Sequence, residues 1–324
     1  MSGEFLRPYV RVSEPKYPRV YLDVPSFLAS RVVRRCEGLR DCDFVFLGVP
    51  WEGAVTWGSW SGCQLAPMHV RRASLRYGGF IPEFNVDILS KVKLCDFGDV
   101  VIDPQDRERT FRNITESVSR ILGAGATPIV VGGDHSITYP VLKAFVSKGF
   151  KPTVLHFDAH YDNLPSFNGE RYARCCPIRR VIEDLNMPPS KVFHIGIRGP
   201  RNARVSKKYA DSVGANVYTM WRLREEGFTE LVSRAIEEGK DSDGVYVTIC
   251  MDVLDPSSAP AGAGDPMGFT TYELLSTLTK VVKEVPLLGM DVVELYPPMD
   301  VREMTSHLTV WIIMYTVAAT LIKS

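Results

Sequence analysis

Short apolar runs recur along the chain, and segments with a helical spacing of apolar residues lie between most of them. The runs are rich in Val, Ile, Leu and Phe, as buried strands of a sheet are. Clear helical patterns occupy residues 108–125, 228–239 and 270–285. Strands that alternate with amphipathic helices indicate an α/β domain with a mainly parallel sheet, covered by helices on both faces. The eight predicted strands are 44–49, 92–100, 128–133, 153–160, 192–198, 216–220, 245–252 and 287–295.

The two ends of the chain bear on its location. Residues 1–18 contain no apolar core segment, which a signal peptide would need. Residues 307–324 are apolar, but their uninterrupted part is short and rich in Thr, whereas a membrane span needs about 20 apolar residues. We therefore predict a buried terminal helix and a soluble, cytoplasmic protein.

The charge and cysteine content of the chain limit the partners and the type of fold that we expect. The 324 residues carry 38 basic and 38 acidic side chains, so the formal net charge is zero. A neutral chain generates no field that attracts nucleic acid or an anionic membrane, and we expect neither as a partner. The seven cysteines are an odd number without a CxxC pair, which argues against both a disulfide framework and a zinc ribbon.

The segment "HFDAHYDN" at 156–163 places ionisable side chains at alternate positions, directly after an apolar run. Residues two apart in an extended strand share a face. The side chains that would lie together are His156, Asp158, His160 and Asp162. Two carboxylates and two imidazoles crowded in this way repel one another or lose solvation unless a cation sits between them. Because Asp and His are common ligands of Mn, Zn, Ni and Fe, the pattern predicts a metal site, with a hydrogen-bonded polar cluster as the alternative.

Three other predicted strands also end in polar side chains. In a parallel α/β sheet, ligands bind just beyond the carboxyl ends of the strands. His135 follows the third predicted strand, and Cys250 and Asp252 share a face at the end of the seventh. Glu294 lies at the rim after the eighth. We expect these strand ends to share one cavity with the 156–163 segment, which favours the metal site over the polar cluster.

Several motifs at these strand ends resemble the signature segments of the ureohydrolases, the arginase and agmatinase family. Two of them, "HFDAH" and "HIGIRG", are closer to the agmatinase branch. The resemblance runs from about residue 44 to the end of the chain, and its motifs are "FLGVPWEG", "DFGDV", "GGDHS", "HFDAHYD", "MDVLDPSSAPAGAGDP" and "GMDVVELYPP".

The resemblance implies a three-layer α/β/α fold around a mainly parallel, eight-stranded sheet. Residues 44–324 would form a single domain, and residues 1–43 an N-terminal extension packed on it. The family is usually a homo-oligomer, either a trimer or a hexamer. The activity that the resemblance implies is hydrolysis of a guanidino group to urea and an amine, at a site with two manganese ions.

The resemblance also assigns the metal ligands. The first ion would be held by His135, Asp158, Asp162 and Cys250. The second ion would be held by Asp158, His160, Asp252 and Cys250. Asp158 would therefore bridge the two ions, as would the residue at position 250.

The proposed chemistry explains why such a site is needed. The carbon of a guanidinium is a poor electrophile because three nitrogens share its charge. Attack needs hydroxide at neutral pH, and bound metal ions lower the pKa of water enough to supply it. Asp162 is expected to accept the proton of that water, and Glu294 matches the carboxylate that holds the planar guanidinium in a paired contact. The 163–176 loop, with Asn163 and Arg174, is expected to contact the substrate.

Two residues depart from the family pattern at functional positions. Cys250 replaces an aspartate that bridges the metals. A thiolate is softer and favours Zn, Ni or Fe over Mn, and a protonated thiol is no ligand at all. Arg174 and Cys175 stand where agmatinases usually carry a His-Gly pair, whose His passes a proton to the departing amine. Arginine stays charged and cannot replace it as an acid or base.

These departures leave three functions open at this point. The first is an agmatinase-like ureohydrolase with a modified metal site, and the second is a hydrolase of another linear C–N bond in an amidine or amide. The third is a metal-binding paralogue with impaired catalysis. A related branch of the fold, the deacetylases, uses a single metal, for which Asp158, His160 and Asp252 would suffice.

Overall fold

A computed structural model describes residues 26–53 and 60–322 of the protein. The strands are Arg31–Val32 (β1), Phe44–Val49 (β2), Phe80–Ile81 (β3), Val86–Asp87 (β4), Leu94–Asp99 (β5), Thr127–Gly132 (β6), Thr153–Phe157 (β7), Val192–Ile197 (β8), Asn216–Thr219 (β9), Val245–Cys250 (β10) and Leu287–Val293 (β11). Nine of these strands form one parallel sheet in the order β1-β5-β2-β6-β11-β10-β7-β8-β9. The two short strands β3 and β4 pair with each other in antiparallel fashion.

Helices connect most of the strands, and their ends follow from local sequence. The helices are Ala66–Ser74 (α1), Ile88–Lys91 (α2), Arg107–Gly123 (α3), Thr138–Ser147 (α4), Pro177–Asp184 (α5), Arg204–Val213 (α6), Met220–Glu226 (α7), Thr229–Lys240 (α8), Thr271–Val282 (α9) and Met304–Ala319 (α10). Helix α9 begins with a reciprocal capping box between Thr270 and Glu273. Helix α6 ends at Gly214, whose φ of 75° is the left-handed conformation that glycine adopts without strain.

Two apolar layers cover the opposite faces of the sheet. Along β10, Val247 and Ile249 pack into the layer that contains α9 and α10, whereas Tyr246 packs into the layer that contains α3 and α4. This alternation is the two-residue period of a strand that is buried on both faces. The predicted three-layer α/β/α fold with a mainly parallel sheet is therefore confirmed.

The sequence-based elements agree closely with the structure. All eight predicted strands are present, and the ninth, β1, is a two-residue strand at the sheet edge beside β5. The apolar C-terminal segment forms the buried helix α10, as predicted. Within residues 26–53 and 60–322, no helix has the length and apolar character that crossing a bilayer requires.

The cysteine pattern needs one correction. Cys42 and Cys95 form a disulfide that joins the segment before β2 to β5. The remaining cysteines, Cys36, Cys63, Cys175, Cys176 and Cys250, are free. An odd count without a CxxC pair gave no signal for this bridge, because its partners are 53 residues apart in sequence.

A buried ion pair fixes α1 against the edge of the sheet. Arg71 on α1 is 6% exposed, and its guanidinium lies 2.8 Å from an oxygen of Asp96 and 2.6 Å from an oxygen of Asp99. Asp96 also accepts hydrogen bonds from the backbone N–H groups of Phe27 and Gly98. The carboxylate of Asp96 therefore organises three segments around one buried cation.

We expect Arg71→Leu to lower the free energy of unfolding by about 3–5 kcal/mol, because it leaves the Asp96 carboxylate buried without its cation. Arg72→Leu on the same helix is the matched control, since Arg72 pairs with Glu303 at the surface and its loss should cost at most about 1 kcal/mol. Denaturant unfolding of both variants measures the difference. Equal losses in the two variants would show that the Asp96 pair does not stabilise the fold.

Candidate metal centre and active site

Four neighbouring strands at the centre of the sheet, β6, β11, β10 and β7, point their carboxyl ends at one cavity. The side chains that follow these ends are His135 after β6, Asp158 after β7, Asp252 after β10 and Glu294 after β11. The Nδ1 atom of His135 lies 2.9 Å from an oxygen of Asp158, so the predicted convergence of these strand ends is a feature of the structure.

The backbone just after β6 lies close to the backbone that follows β2 and to the one that follows β11. At Gly133, a Cβ atom would lie 1.6 Å from the carbonyl oxygen of Trp51, so only glycine fits between the ends of β2 and β6. The carbonyl of Gly133 accepts the backbone N–H of Glu294 at 2.9 Å. Glu294 itself has a φ of 61°, an uncommon conformation for a residue with a side chain, which directs its carboxylate at the rim of the sheet.

The first donor group surrounds the Nδ1 atom of His135. This atom lies 2.9 Å from Asp158 Oδ2 and 3.0 Å from Asp162 Oδ2 and makes no hydrogen bond, although it is fully buried. His156 adds its Nε2 atom at 3.3 Å from Asp158 Oδ2. A buried nitrogen that faces two carboxylate oxygens without bonding to either is the arrangement expected of a metal ligand set.

The second donor group shares Asp158 with the first. His160 Nδ1 lies 3.1 Å from Asp252 Oδ2 and 3.3 Å from Asp158 Oδ1. The sulfur of Cys250, at the last position of β10, lies within reach of Asp158 and Asp252 as a further donor. The other ring nitrogen of His160 lies 3.4 Å from Asp265 Oδ2, which suits a carboxylate that orients a ligating imidazole.

The electrostatics of both groups call for added positive charge. Burial opposes a charge on His160, but the carboxylates of Asp252 and Asp158 outweigh it and raise the pKa of His160 to about 11. Burial alone would also raise the pKa of Asp158, but the neighbouring imidazoles of His135, His156 and His160 hold that pKa well below its ordinary value. Protons on His135 and His160 thus neutralise the carboxylates, and a bound divalent ion would displace them. The donor types, burial and charge fit a divalent metal.

Cys250 differs from the other donors in its protonation. Burial, followed by the charges of Asp158 and Asp252, raises the pKa of the Cys250 thiol well above its ordinary value. The sulfur is therefore protonated unless a metal ion drives its ionisation.

The Arginase family profile matches residues 42–318. The chain belongs to the arginase family. It is 33% identical over 292 residues to a formimidoylglutamase of Halalkalibacterium halodurans, across 89% of this chain and 90% of that one. It is 31% identical to an agmatinase of Bacillus anthracis, across 84% of this chain and 90% of that one. Among solved structures, the proclavaminate amidino hydrolase of Streptomyces clavuligerus superposes with a TM-score of 0.85 at 29% identity, covering 94% of this chain and 99% of that chain.

Both carboxylate oxygens of Glu294 accept hydrogen bonds from within the chain. In the resemblance drawn from sequence, Glu294 holds the guanidinium of the substrate. Here its Oε2 atom accepts hydrogen bonds from Arg174 at 3.0 Å and from the Tyr296 hydroxyl at 2.7 Å, and its Oε1 atom accepts the backbone N–H of His135 at 2.9 Å. Burial raises the pKa of Glu294 to about 7, although the Arg174 cation opposes the shift.

A cavity of about 270 Å³ borders the site. Its lining includes His160, Asp162, Cys250, Asp252, Arg174 and Glu294. Arg174 and Glu294 both border this cavity. Asn163 does not: it is fully buried, and its amide donates to the backbone carbonyl of Ser206, just inside α6, at 3.0 Å. The structure thus corrects the expectation of a direct substrate contact for Asn163, because its side chain is committed to holding α6.

Sequence reasoning missed several residues of this arginase-family site. Glu52, which lies 3.3 Å from Arg174, is the third residue after β2, so the rule of reading strand ends could have found it. His156 shares the alternation of the 156–163 segment, but the ligand sets that the resemblance implies do not include it. Asp265 and Arg198 lie within the motifs "MDVLDPSSAPAGAGDP" and "HIGIRG", and Arg198 ends a predicted strand, so the motifs could have indicated both. Arg198 donates hydrogen bonds to six backbone carbonyls, those of Gly196, Asp252, Val253, Leu254, Asp265 and Pro266.

Asp158→Ala should abolish metal binding at both donor groups, whereas His135→Ala should mainly empty one, because Asp158 is the carboxylate common to both groups. Metal content per chain, measured by elemental analysis after loading with Zn, an ion that the sulfur of Cys250 suits, and dialysis, checks this. Equal metal loss in the two variants would contradict the shared role of Asp158.

We expect the unaltered protein, when supplied with Mn, to fill the Asp158/His160/Asp252 group first and to hold about one ion per chain, because a buried thiol is a poor ligand for a hard ion. Cys250→Asp should raise the content to about two ions per chain by supplying a carboxylate. Cys176→Ser is the matched control, since Cys176 is also buried but lies outside the donor groups. Two Mn ions in the unaltered protein, with no change on Cys250→Asp, would show that the Cys250 thiol does not weaken Mn binding.

Proposed function

We propose that the protein is a metal-dependent hydrolase that cleaves a C–N bond in a linear guanidino compound, releasing urea and an amine. The observation that carries the proposal is the pair of donor groups that share Asp158 beside a cavity. Membership of the arginase family supports it, as does likeness over most of the chain to proteins named agmatinase and formimidoylglutamase.

The two donor groups offer ligands for two divalent ions; with manganese, the first metal to test, we expect the Asp158/His160/Asp252 group to fill first. When bound, such ions supply hydroxide at neutral pH and offset the charge that develops in the reaction. Zinc, nickel and iron are the alternatives, because the sulfur of Cys250 suits softer ions.

Asp162 is the residue that we assign to proton transfer. Its carboxylate borders the cavity and lies 3.0 Å from His135 Nδ1. Burial and the neighbouring charge of Asp158 raise its pKa above the ordinary value, which helps a carboxylate to accept a proton and then release it to a departing amine. Arg174 stands where agmatinases usually carry the shuttling His and cannot exchange a proton, so Asp162 would carry both transfers.

A second candidate is hydrolysis of an amidino compound with an acidic tail. The observation that favours it is the presence of two arginines, Arg174 and Arg201, on the wall of the cavity. Arg201 pairs with Asp265 at 2.8 Å, yet its guanidinium still adds positive potential to the wall. Positive potential disfavours the second amine of agmatine and favours a carboxylate. A relative at 33% identity carries the name formimidoylglutamase, an enzyme named for such an acid.

A product screen distinguishes these candidates. Protein loaded separately with Mn, Zn, Ni or Fe would be given agmatine, arginine, guanidinobutyrate, guanidine or N-formimidoylglutamate, and release of urea, formamide and amine would be measured. We expect turnover of at least one compound, and its loss in Asp252→Asn, which removes a donor of the second group. Asp255→Asn, in the same loop but outside the donor groups, should keep the activity.

The outcome of the screen assigns the function. Urea from agmatine would support the first candidate, and cleavage confined to acidic compounds would support the second. If no compound is turned over with any of the four metals, the hydrolase proposal fails and the protein is a metal-binding paralogue.

A further inference from the structure

The guanidinium of Arg174 lies where a substrate guanidinium is expected to bind. Its Nη1 atom donates to Glu294 Oε2 at 3.0 Å. Because Oε1 of the same carboxylate already accepts the His135 backbone N–H, and Oε2 also accepts the Tyr296 hydroxyl, both oxygens of Glu294 are engaged within the chain. A paired contact from an external guanidinium needs a free lone pair on both oxygens, and Oε2, which already accepts two hydrogen bonds, has none.

Two further carboxylates hold Arg174 in this position. Its Nη2 atom lies 3.3 Å from Glu52 Oε1 and 3.9 Å from Asp134 Oδ2. These carboxylates are themselves fixed, since Glu52 accepts the backbone N–H groups of Ser61 and Gly62, and Asp134 accepts that of Ser136. If the guanidinium of Arg174 rotated away, three buried carboxylates would lose their cation, so its position is strongly favoured.

The loop that carries Arg174 is also tied down. Arg174 is 5% exposed, and the backbone N–H of Leu164 donates to the carbonyl of Cys175 at 3.1 Å. Pro177, two residues after Cys175, begins α5, and the first turn of this helix fixes the end of the loop. The position of the guanidinium is therefore set by backbone as well as by charge.

We propose that Arg174 is a specificity-determining residue: its guanidinium permanently occupies the guanidinium position at Glu294 and excludes cationic guanidino groups of the substrate from that carboxylate. Substrates are thereby confined to C–N compounds whose reacting group needs no paired contact with Glu294, which favours the amidino compounds of the second candidate over the guanidino compounds of the first. This inference rests on the proposed hydrolase function and on the role that the family resemblance gives to Glu294. It predicts a guanidinium-shaped vacancy as soon as the Arg174 side chain is removed.

The test measures binding and needs no catalysis, so it stands apart from the product screen. Arg174→Ala should leave three carboxylates without their cation, and guanidinium chloride at about 1–10 mM should raise its melting temperature by mass action. Sodium and tetramethylammonium chloride at equal ionic strength should not. Arg171→Ala, an exposed change three residues earlier in the same loop, is the matched control and should show no rescue.

A crystal of the Arg174→Ala variant soaked in guanidinium chloride should show the ion between Glu294 and Glu52, and the double variant Arg174→Ala/Glu294→Gln should lose the rescue. If Arg174→Ala does not fold, Arg174→Gln serves in its place, because it keeps bulk near the carboxylates but removes the charge and the fork. Guanidinium bound at Glu294 in the unaltered protein, with Arg174 displaced, would overturn the proposal. So would equal responses of all variants to the salt.

Where the product screen supplies a substrate, a second readout follows. Arg174→Ala should raise kcat/KM for guanidino compounds by at least about tenfold relative to formimidoyl compounds, a change of about 1.4 kcal/mol in relative transition-state binding. An unchanged ratio, together with guanidinium binding in the variant, would show that the vacancy exists but does not select the substrate, and this also overturns the proposal.

Discussion

Negative charge gathered at the carboxyl ends of parallel strands is the constraint on which the site depends. Asp134, Asp158, Asp252 and Glu294 are all at most 4% exposed, and each follows a central strand of the sheet. Carboxylates buried this close together cannot all stay ionised unless cations are held among them. The fold supplies the geometry through parallel strands that end at one edge, and the chemistry of the site follows from how the charge is balanced.

The charge is balanced in two different ways on the two sides of the cavity. Around Asp158, imidazoles provide the positive charge, and they can give up their protons to an incoming ion. Around Glu294, the positive charge is Arg174, which is attached to the chain and cannot leave. The region around Asp158 can therefore bind an exchangeable cation, whereas the region around Glu294 cannot. The cavity thus has one part that can bind metal and one part that is closed to cationic ligands.

Sequence patterns predicted the strands and the metal donors because both depend on local periodicity. The alternation around Asp158 identified its neighbours as donors, although β7 already ends at Phe157 and Asp162 has a φ of 43°. Position after a strand was enough to find His135 and Glu294. The partner of Arg174 was not predictable in this way, since Glu294 is 120 residues distant and the contact depends on the path of a loop. Asn163 was expected to contact the substrate because it begins the 163–176 loop, but in the structure it is buried and donates to α6.

The way in which Arg198 anchors the loop after β10 affects which substitutions this loop can tolerate in evolution. Its guanidinium holds the loop after β10 entirely through main-chain carbonyl oxygens. Every residue type presents the same carbonyl, so this anchoring places no demand on the side chains of the loop, and only those buried in the core, such as Val253 and Leu254, are fixed by packing. New side chains facing the cavity, at Ala263 for example, can therefore arise in one mutational step without disrupting the wall. The loop is a place where substrate preference can be altered at little cost to the fold.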